Sequence, residues 1–503
     1  MKNLSVRWVF AGVLAFAASP AFVHAASVET VAAAVPQDRV LFPFDDHSIP
    51  FNKGVLLTLI PGRKSVVTDP QHPNKPVVGL GKAGDPDERR VYFAGTVIKV
   101  GDEYRMWYSG YDREAHRHLC YAVSRDGINW EKPKLGLVPY KGGTANNLVS
   151  LGDGQELRGS LFLVLHDPGD PDPQKRFKLM WEMDPTNQVK AAFSPDGLRW
   201  TIAAEGKFLI NAEPSGLVKH NGLYYINGHS GAIRHPVAGA QKRTMQTFVS
   251  SDFVNWTTAA HMSFRRDNIP PRPILDFESH KGEQLHTGAS IWNRGNVFLG
   301  FYGQWHNETN DRRTCVVDIG LVVSPDALHF KEPIPDFKLV PSFEETDRAE
   351  PRLTQGQGFE NIGDRTLFWY GIWTEGNRDG PTGVRVATWP RDRLGHFRPA
   401  PGISDPHCLT SPQPIAETGG RIYVNADGLS ATNYLKVELL DERLRPIPGY
   451  SGDDCLPVTK AGFRTPVAWK SGDVVKSNGR PVRIRVSWEG DRPDSRLYAL
   501  YVE

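Results

Sequence analysis

The chain has 503 residues, with 59 Lys and Arg against 57 Asp and Glu and a formal net charge of +2. Such an even balance excludes the concentrated basic field of a nucleic-acid surface. The length suits two or three domains, and no stretch reaches the ~18 consecutive apolar residues of a membrane span.

The chain opens on a pattern that predicts a secretory signal over residues 1–25. Lys2 and Arg7 form a charged start, and Trp8 to Ala18 form an apolar run of 11 residues. Val23-His24-Ala25 then offers small residues for cleavage before Ala26. Residues 26–37 read as a leader. Export to the periplasm or the medium is the expectation. No Cys stands directly after the cleavage point, so no lipid anchor is indicated.

From about residue 40 the sequence is short apolar runs broken by Gly, Pro, Asp and Asn, the signature of strands and tight turns. Val91–Val100, Tyr104–Tyr108 and Leu119–Val123 form a meander that turns at Asp126-Gly127 into Trp130. The pattern returns with Leu161–Leu165, Phe177–Trp181 and Val189–Phe193, then with Leu217–Lys219, Leu223–Ile226 and Met245–Val249. The fourth set is Thr287–Trp292, Val297–Tyr302 and Val316–Val323. The fifth is Gly358–Asn361, Thr366–Tyr370 and Val384–Trp389. One motif punctuates the sets: Ser-x-Asp, two or three residues, then an aromatic. It occurs at Ser124-Arg125-Asp126, Ser194-Pro195-Asp196, Ser250-Ser251-Asp252 and Ser324-Pro325-Asp326, with a decayed copy at Asp392. Its aspartates are 70, 56, 74 and 66 residues apart. A period of that size with strand-like flanks predicts radial repetition of five units. The aspartates read as turn fasteners, accepting backbone N–H bonds, and the glycine after two of them supplies positive φ.

After about residue 403 the motif stops. Leu435, Val437 and Leu439 alternate with Lys436 and Glu438, and Val482 to Val486 alternate as well. Period two on one face predicts a β-sandwich over 404–503. The fold class is therefore all-β: a five-bladed β-propeller over 38–403 followed by a small C-terminal β-sandwich. Of four cysteines, Cys120 and Cys315 read as buried thiols, while Cys408 and Cys455 share the C-terminal region and could pair. No spacing resembles a zinc ligand set.

The Trp107-Tyr108 strand, the run Tyr121-Ala122-Val123-Ser124-Arg125-Asp126-Gly127-Ile128-Asn129-Trp130-Glu131-Lys132-Pro133 and the fivefold recurrence resemble the five-bladed propeller glycoside hydrolases. These are the arabinanase/xylosidase and invertase-like superfamilies, and the appended sandwich is similar to the invertase type. The Asn-Asp-Pro-Asn-Gly and Arg-Asp-Pro motifs of the invertase type are missing, so no catalytic residue transfers by motif. The resemblance implies a funnel on the propeller axis, lined by the beginnings of the innermost strands, and two carboxyl groups across the scissile bond.

Carboxylates near those strand starts are the catalytic candidates: Glu88 before Val91, Glu213 before Pro214, and Glu283 before His286, with Asp46 in reserve. His286, Arg352, Gln355, Gln357 and Trp305 are the candidate substrate-binding residues. Planar amide and guanidinium groups bridge adjacent sugar hydroxyls, and an indole offers a stacking face. No cofactor is predicted, although some relatives carry a single ion on the axis, where His286 could contribute. The expected substrate is carbohydrate, and the expected activity is glycoside hydrolysis. The alternatives are a glycoside phosphorylase, which predicts a convergent basic cluster, and a non-catalytic glycan-binding propeller, which predicts funnel aromatics without facing acids.

Overall fold

The computed structural model describes residues 39–62, 75–183, 188–203, 213–230, 243–266, 281–342, 352–372, 382–491 and 494–503. The expected signal sequence and leader lie outside the described residues. Described elements are strands and three-residue 3₁₀ turns. Among the described residues no helix is long and apolar enough to cross a membrane.

Five antiparallel meanders follow one another. Their first strands are Arg90–Val100, Gly159–His166, Glu213–His220, Gln284–Asn293 and Leu353–Ile362. Each pairs with a second strand, and each second with a third. The five first strands neighbour one another in a closed cycle, so they are the inner strands of a propeller. The ring closes by parallel pairing of the fifth inner strand with the first, Gln357 opposite Thr96 and Gly358 opposite Val97. Polar side chains near the axis satisfy the strand edges that such a ring leaves open. Thr96 Oγ1 donates to the Phe162 carbonyl at 3.0 Å and accepts from the Val164 amide at 3.0 Å.

Every inner strand carries a register break shortly after it begins. The breaks fall between Tyr92 and Thr96, Ser160 and Leu163, Pro214 and Gly216, His286 and Ala289, and Gln355 and Phe359. Two breaks hold non-glycine residues at positive φ, Leu161 at 55° and Thr287 at 58°. Bulges of this kind re-aim the side chains before them, and strain of this kind concentrates at functional sites.

The four motif aspartates are turn fasteners. Asp126 Oδ1 accepts from the amides of Ile128 and Asn129 at 2.9 and 2.8 Å, and Asp196, Asp252 and Asp326 repeat that pair of bonds. The motif also joins neighbouring blades. Trp107, on the second strand of the first blade, donates Nε1–H to the Gly197 carbonyl of the second blade's turn at 2.8 Å. Trp369 of the fifth blade donates to the Gly127 carbonyl of the first blade's turn at 2.9 Å. Glycine is required at both turns. A Cβ on Gly197 would stand 2.8 Å from Trp107 Cζ2, and one on Gly127 2.7 Å from Trp369 Cζ2. In the third turn Phe253 replaces glycine at φ 66° and packs in one cluster with Met180, the residue of the second blade at the register position of Trp107.

The decayed fifth copy has another role. Asp392 is 1 % exposed and accepts from Arg294 at 2.5 Å, from Asn361 at 3.0 Å and from the Tyr501 hydroxyl at 3.0 Å. It thus ties the fourth and fifth blades to the sheet containing Arg496–Val502.

Two further antiparallel sheets share a core of Leu41, Phe397, Val424 and Leu500 on one side and Cys408, Val437, Ile484, Val486 and Trp488 on the other. The strand Asn433–Leu440 alternates buried and half-buried residues, as its period-two pattern predicted. These sheets draw strands from both ends of the chain: Arg39–Leu41 pairs with Leu500–Val502, Val55–Leu59 with Gly395–Pro399, and Phe51–Lys53 with His407–Leu409. All four cysteines are free thiols. Cys408 and Cys455 do not pair: Cys408 is buried in the shared core, and Cys455 Sγ donates to the Val437 carbonyl at 3.1 Å.

Candidate active site

The edge at which the inner strands begin is also where the second strands end and the third strands begin, because the meanders are antiparallel. Glu213 pairs with His229, Ser160 with Glu182, and Arg90 with Tyr111 across the first two strands of their blades. The bulges set Arg90, Tyr92, Ser160, Glu213, His286 and Thr354 just before the axial segments. Links between blades hold this ring together. Tyr92 Oη lies 3.4 Å from Thr354 Oγ1, and the Gly288 amide donates to Ser215 Oγ at 2.6 Å.

Glu213 is the central carboxylate. Half of its side chain is open to solvent (49 %), and the surrounding protein still desolvates it. Burial therefore raises its pKa above the ordinary glutamate value, against the pull of Arg243 and Arg312. His229 Nδ1 stands 3.5 Å from Glu213 Oε2. Glu182 is the second carboxylate. Its Oε2 accepts from Ser160 Oγ at 3.0 Å, and Ser160 Oγ also accepts from Arg117 Nη1 at 3.0 Å. Burial raises the Glu182 pKa, the Ser160 bond opposes this, and the negative charge of Glu213 raises it further. The ionised form of Glu213 thus favours the protonated form of Glu182. Burial pushes the Tyr92 hydroxyl up to about 12, and Glu213 adds to that rise.

Basic groups dominate the rest of the mouth. Arg90 acts on Tyr92, Arg117 on Glu182, Arg243 and Arg312 on Glu213, and Arg243, Arg312 and Arg352 on His286. Three of these arginines, Arg117, Arg243 and Arg312, act on the two glutamates, which makes a field suited to an anionic ligand group. Burial first, then Arg243, holds His286 well below the ordinary imidazole range, so it is neutral at physiological pH.

The other sequence candidates are placed differently. Glu88 lies in a shallow loop network, with its carboxylate accepting from the Gly84 amide at 2.9 Å, Lys141 at 2.9 Å and Arg113 at 3.2 Å. The Gly84 amide and then Lys141 hold its pKa at about 2, the wrong direction for a proton donor. Glu283 directly precedes the fourth inner strand and is engaged by His306 Nδ1 at 2.6 Å and by the buried Arg266 at 3.0 Å. Asp46 is exposed and ion-paired with Lys331. None of these three couples to Glu213 as Glu182 does.

The binding candidates are largely committed to the scaffold. Gln357 spends both ends of its amide on backbone, accepting from the Ile291 amide at 2.9 Å and donating to the carbonyls of Ile291 at 2.7 Å and Leu217 at 3.0 Å. It ties three blades together. Gln355 donates to Thr287 Oγ1 at 2.5 Å and to the Gly288 carbonyl at 2.6 Å, which fixes the strained bulge. Arg352 Nε donates to the Cys315 carbonyl at 3.1 Å and anchors the turn that carries Arg312. Trp305 is fully buried, with His286 stacked at 6.1 Å on its indole and the Arg243 guanidinium 4.7 Å from its ring centre, so its faces are covered. His286 lies in the ring as expected. Sequence reasoning missed Glu182, Arg117 and Arg243, because it examined only inner-strand starts.

Among the described residues, two side-chain groups have donor sets that can hold a metal ion: Asp112 with His116 and His118, and Glu283 with His306 and Asp336. In the second, Arg266 already bridges Glu283 and Asp336, at 3.0 and 2.5 Å.

The fold is all-β and propeller-like. No family model matches the chain, and no curated protein matches it. Among solved structures it is similar to one described as "The GH130 family of mannoside phosphorylases contains glycoside hydrolases that target beta-1,2 mannosidic linkages in Candida mannan", with 14% identity, 63% of this chain and 92% of that chain covered, and a TM-score of 0.40. A glycosyl hydrolase from Bacteroides ovatus has 15% identity over 64% of this chain and 92% of its own, with a TM-score of 0.40. An N-acetylgalactosamine deacetylase from F. plautii has 11% identity over 67% and 96%, with a TM-score of 0.40.

Proposed function

We propose that this chain is an exported glycan-processing enzyme, a glycoside hydrolase in which Glu182 gives a proton to the glycosidic oxygen. The observation that carries this reading is two glutamates at the rim of the inner strands, both with raised pKa, Glu182 in part through the charge of Glu213. In such a pair one carboxyl holds its proton while the other stays ionised, which is the division of labour that glycoside cleavage needs. Glu182, oriented by Ser160 and Arg117, keeps its proton beside the negative charge of Glu213, and Glu213 is then the base or nucleophile. The propeller over 38–403 is the catalytic body, and the sandwich over 404–503 is an accessory one.

The arginine cluster favours a second reading, phosphorolysis. A phosphate held by Arg243 and Arg312 beside Glu213 would take the place of the activated water and remove the need for a base. The test is an oligosaccharide panel with and without inorganic phosphate, run on the wild type and on Glu213→Gln and Glu182→Gln. Hydrolysis requires both glutamates and no phosphate. Phosphorolysis requires phosphate and Glu182 and yields a sugar phosphate. Tight binding without cleavage would leave a glycan-binding module and sink both enzymatic readings.

A further inference from the structure

We propose that Asp112, His116 and His118 form a site for a divalent transition metal, with Zn²⁺ the best-suited ion. The three residues lie on the hairpin between Glu103–Tyr111 and Arg117–Ser124, at the same edge as the candidate active site. Asp112 Oδ2 is the common vertex, 3.1 Å from His116 Nδ1 and 3.0 Å from His118 Nε2. Donor atoms of tetrahedral zinc are separated by about 3.3 Å when the bonds are about 2.0–2.1 Å long. Both measured edges fall close to that, and all three donor atoms lie within 4.8 Å of one another.

The hairpin is already shaped for this arrangement. Asp112 Oδ1 accepts from the His116 amide at 2.9 Å, which closes the turn, and Ala115 is held at φ 66° within it. Asp112 and His118 are 2 % and 0 % exposed, whereas the His116 side chain is 44 % exposed, which leaves a path for the ion and for a water as fourth ligand. The surroundings also match a metal centre. The second nitrogen of His118, Nδ1, faces the Glu156 carboxylate, so a carboxylate orients the imidazole from behind. The Tyr140 hydroxyl donates to Asp112 Oδ2 at 3.3 Å. In the other donor group, around Glu283, the Arg266 guanidinium stands where a metal would sit.

The ion would have a defined mechanical effect. Arg117 lies between the two histidines in sequence and donates to Ser160 Oγ, which donates to Glu182. A metal that locks residues 112–118 therefore locks Arg117 against Ser160. The proposal itself stands on the hairpin alone and does not depend on the glycan reading.

The experiment uses the full chain without a polyhistidine tag, stripped with a chelator and dialysed. Zn²⁺ is titrated by calorimetry, and Co²⁺ is followed by visible absorption, whose intensity marks tetrahedral coordination. The expected result is one ion per chain, an affinity at least 10-fold weaker in His116→Ala, and a further variant, Glu156→Gln, weakened about 10- to 100-fold. His116 is partly exposed, so its variant keeps the fold, which its melting temperature without metal verifies. Absence of saturable binding overturns the site, and so does unchanged affinity in a folded His116→Ala.

Discussion

The contact between Trp107 and Gly197 yields a prediction whose size follows from two separable effects. In Gly197→Ala the new Cβ meets Trp107 Cζ2 at 2.8 Å and Phe177 Cδ1 at 3.2 Å, on a backbone at φ 80°. An L-residue in that left-handed conformation costs about 1–2 kcal/mol, and overpacking a filled site costs about 1–3 kcal/mol more. Gly222 isolates the first effect: its φ is 79° and nothing lies within 4 Å of its Cβ position. Gly222→Ala should therefore cost only the conformational part, and Gly197→Ala roughly twice as much or more. Urea unfolding followed by tryptophan fluorescence measures both. A double variant, Gly197→Ala with Trp107→Phe, should recover part of the loss, because the smaller ring leaves the contact. If Gly197→Ala costs no more than Gly222→Ala, blade-to-blade latching by this indole is wrong.

Further outcomes follow from the same geometry. Glu213→Gln should lower glycan cleavage by at least about 10²-fold with the melting temperature unchanged. In the wild type, rate should fall with rising pH at a point above the ordinary glutamate value near 4.5, because the protonated form of Glu182 works and burial, with the charge of Glu213, raises its pKa. Glu88→Gln should change activity less than about 2-fold, measured on the same substrate, since its partners are Gly84, Lys141 and Arg113. Asp252→Ala should cost about 1–2 kcal/mol in urea unfolding, from loss of its bonds to Val254 and Asn255. Burial opposes ionisation of Asp252, but the Asn255 and Val254 bonds outweigh it and hold the carboxyl at about 2. Its stabilisation is present above an unfolded value near 4 and disappears as pH falls towards 2, so the variant and the wild type should converge there. Gln357→Ala should cost several kcal/mol, at about 1–3 kcal/mol for each backbone group of Leu217 and Ile291 left unpaired.

The strands and their count were legible because the motif is local. Ser-x-Asp fastens a turn within five residues, and apolar runs beside it mark strands wherever they occur. The site was legible only along one line of reasoning. Glu213 begins an inner strand, the place where carboxylates were sought. Glu182 ends a second strand, and Arg117 and Arg243 stand where third strands begin. They reach the same mouth because neighbouring strands are antiparallel, a relation between residues far apart in sequence. The roles of Gln355 and Gln357 were hidden for a similar reason: an amide at an inner strand looks like a sugar ligand until the open backbone groups of the neighbouring blades are placed beside it. Trp305 reads as a stacking platform in sequence, but Arg243, two strands away, covers its face.

The pairing of Arg39–Leu41 with Leu500–Val502 has a consequence for how the molecule matures. The two partners are separated by nearly the whole chain, so the sheet they share cannot close before the last strand is available. Until then Val40 and Leu41 have no partner strand, and Tyr501 cannot reach Asp392 to brace the fifth blade. Folding of this protein is in that sense clasped at its two ends. Loss of the final seven residues would release an amino-terminal strand and expose the core it covers, converting a local truncation into an aggregation-prone edge.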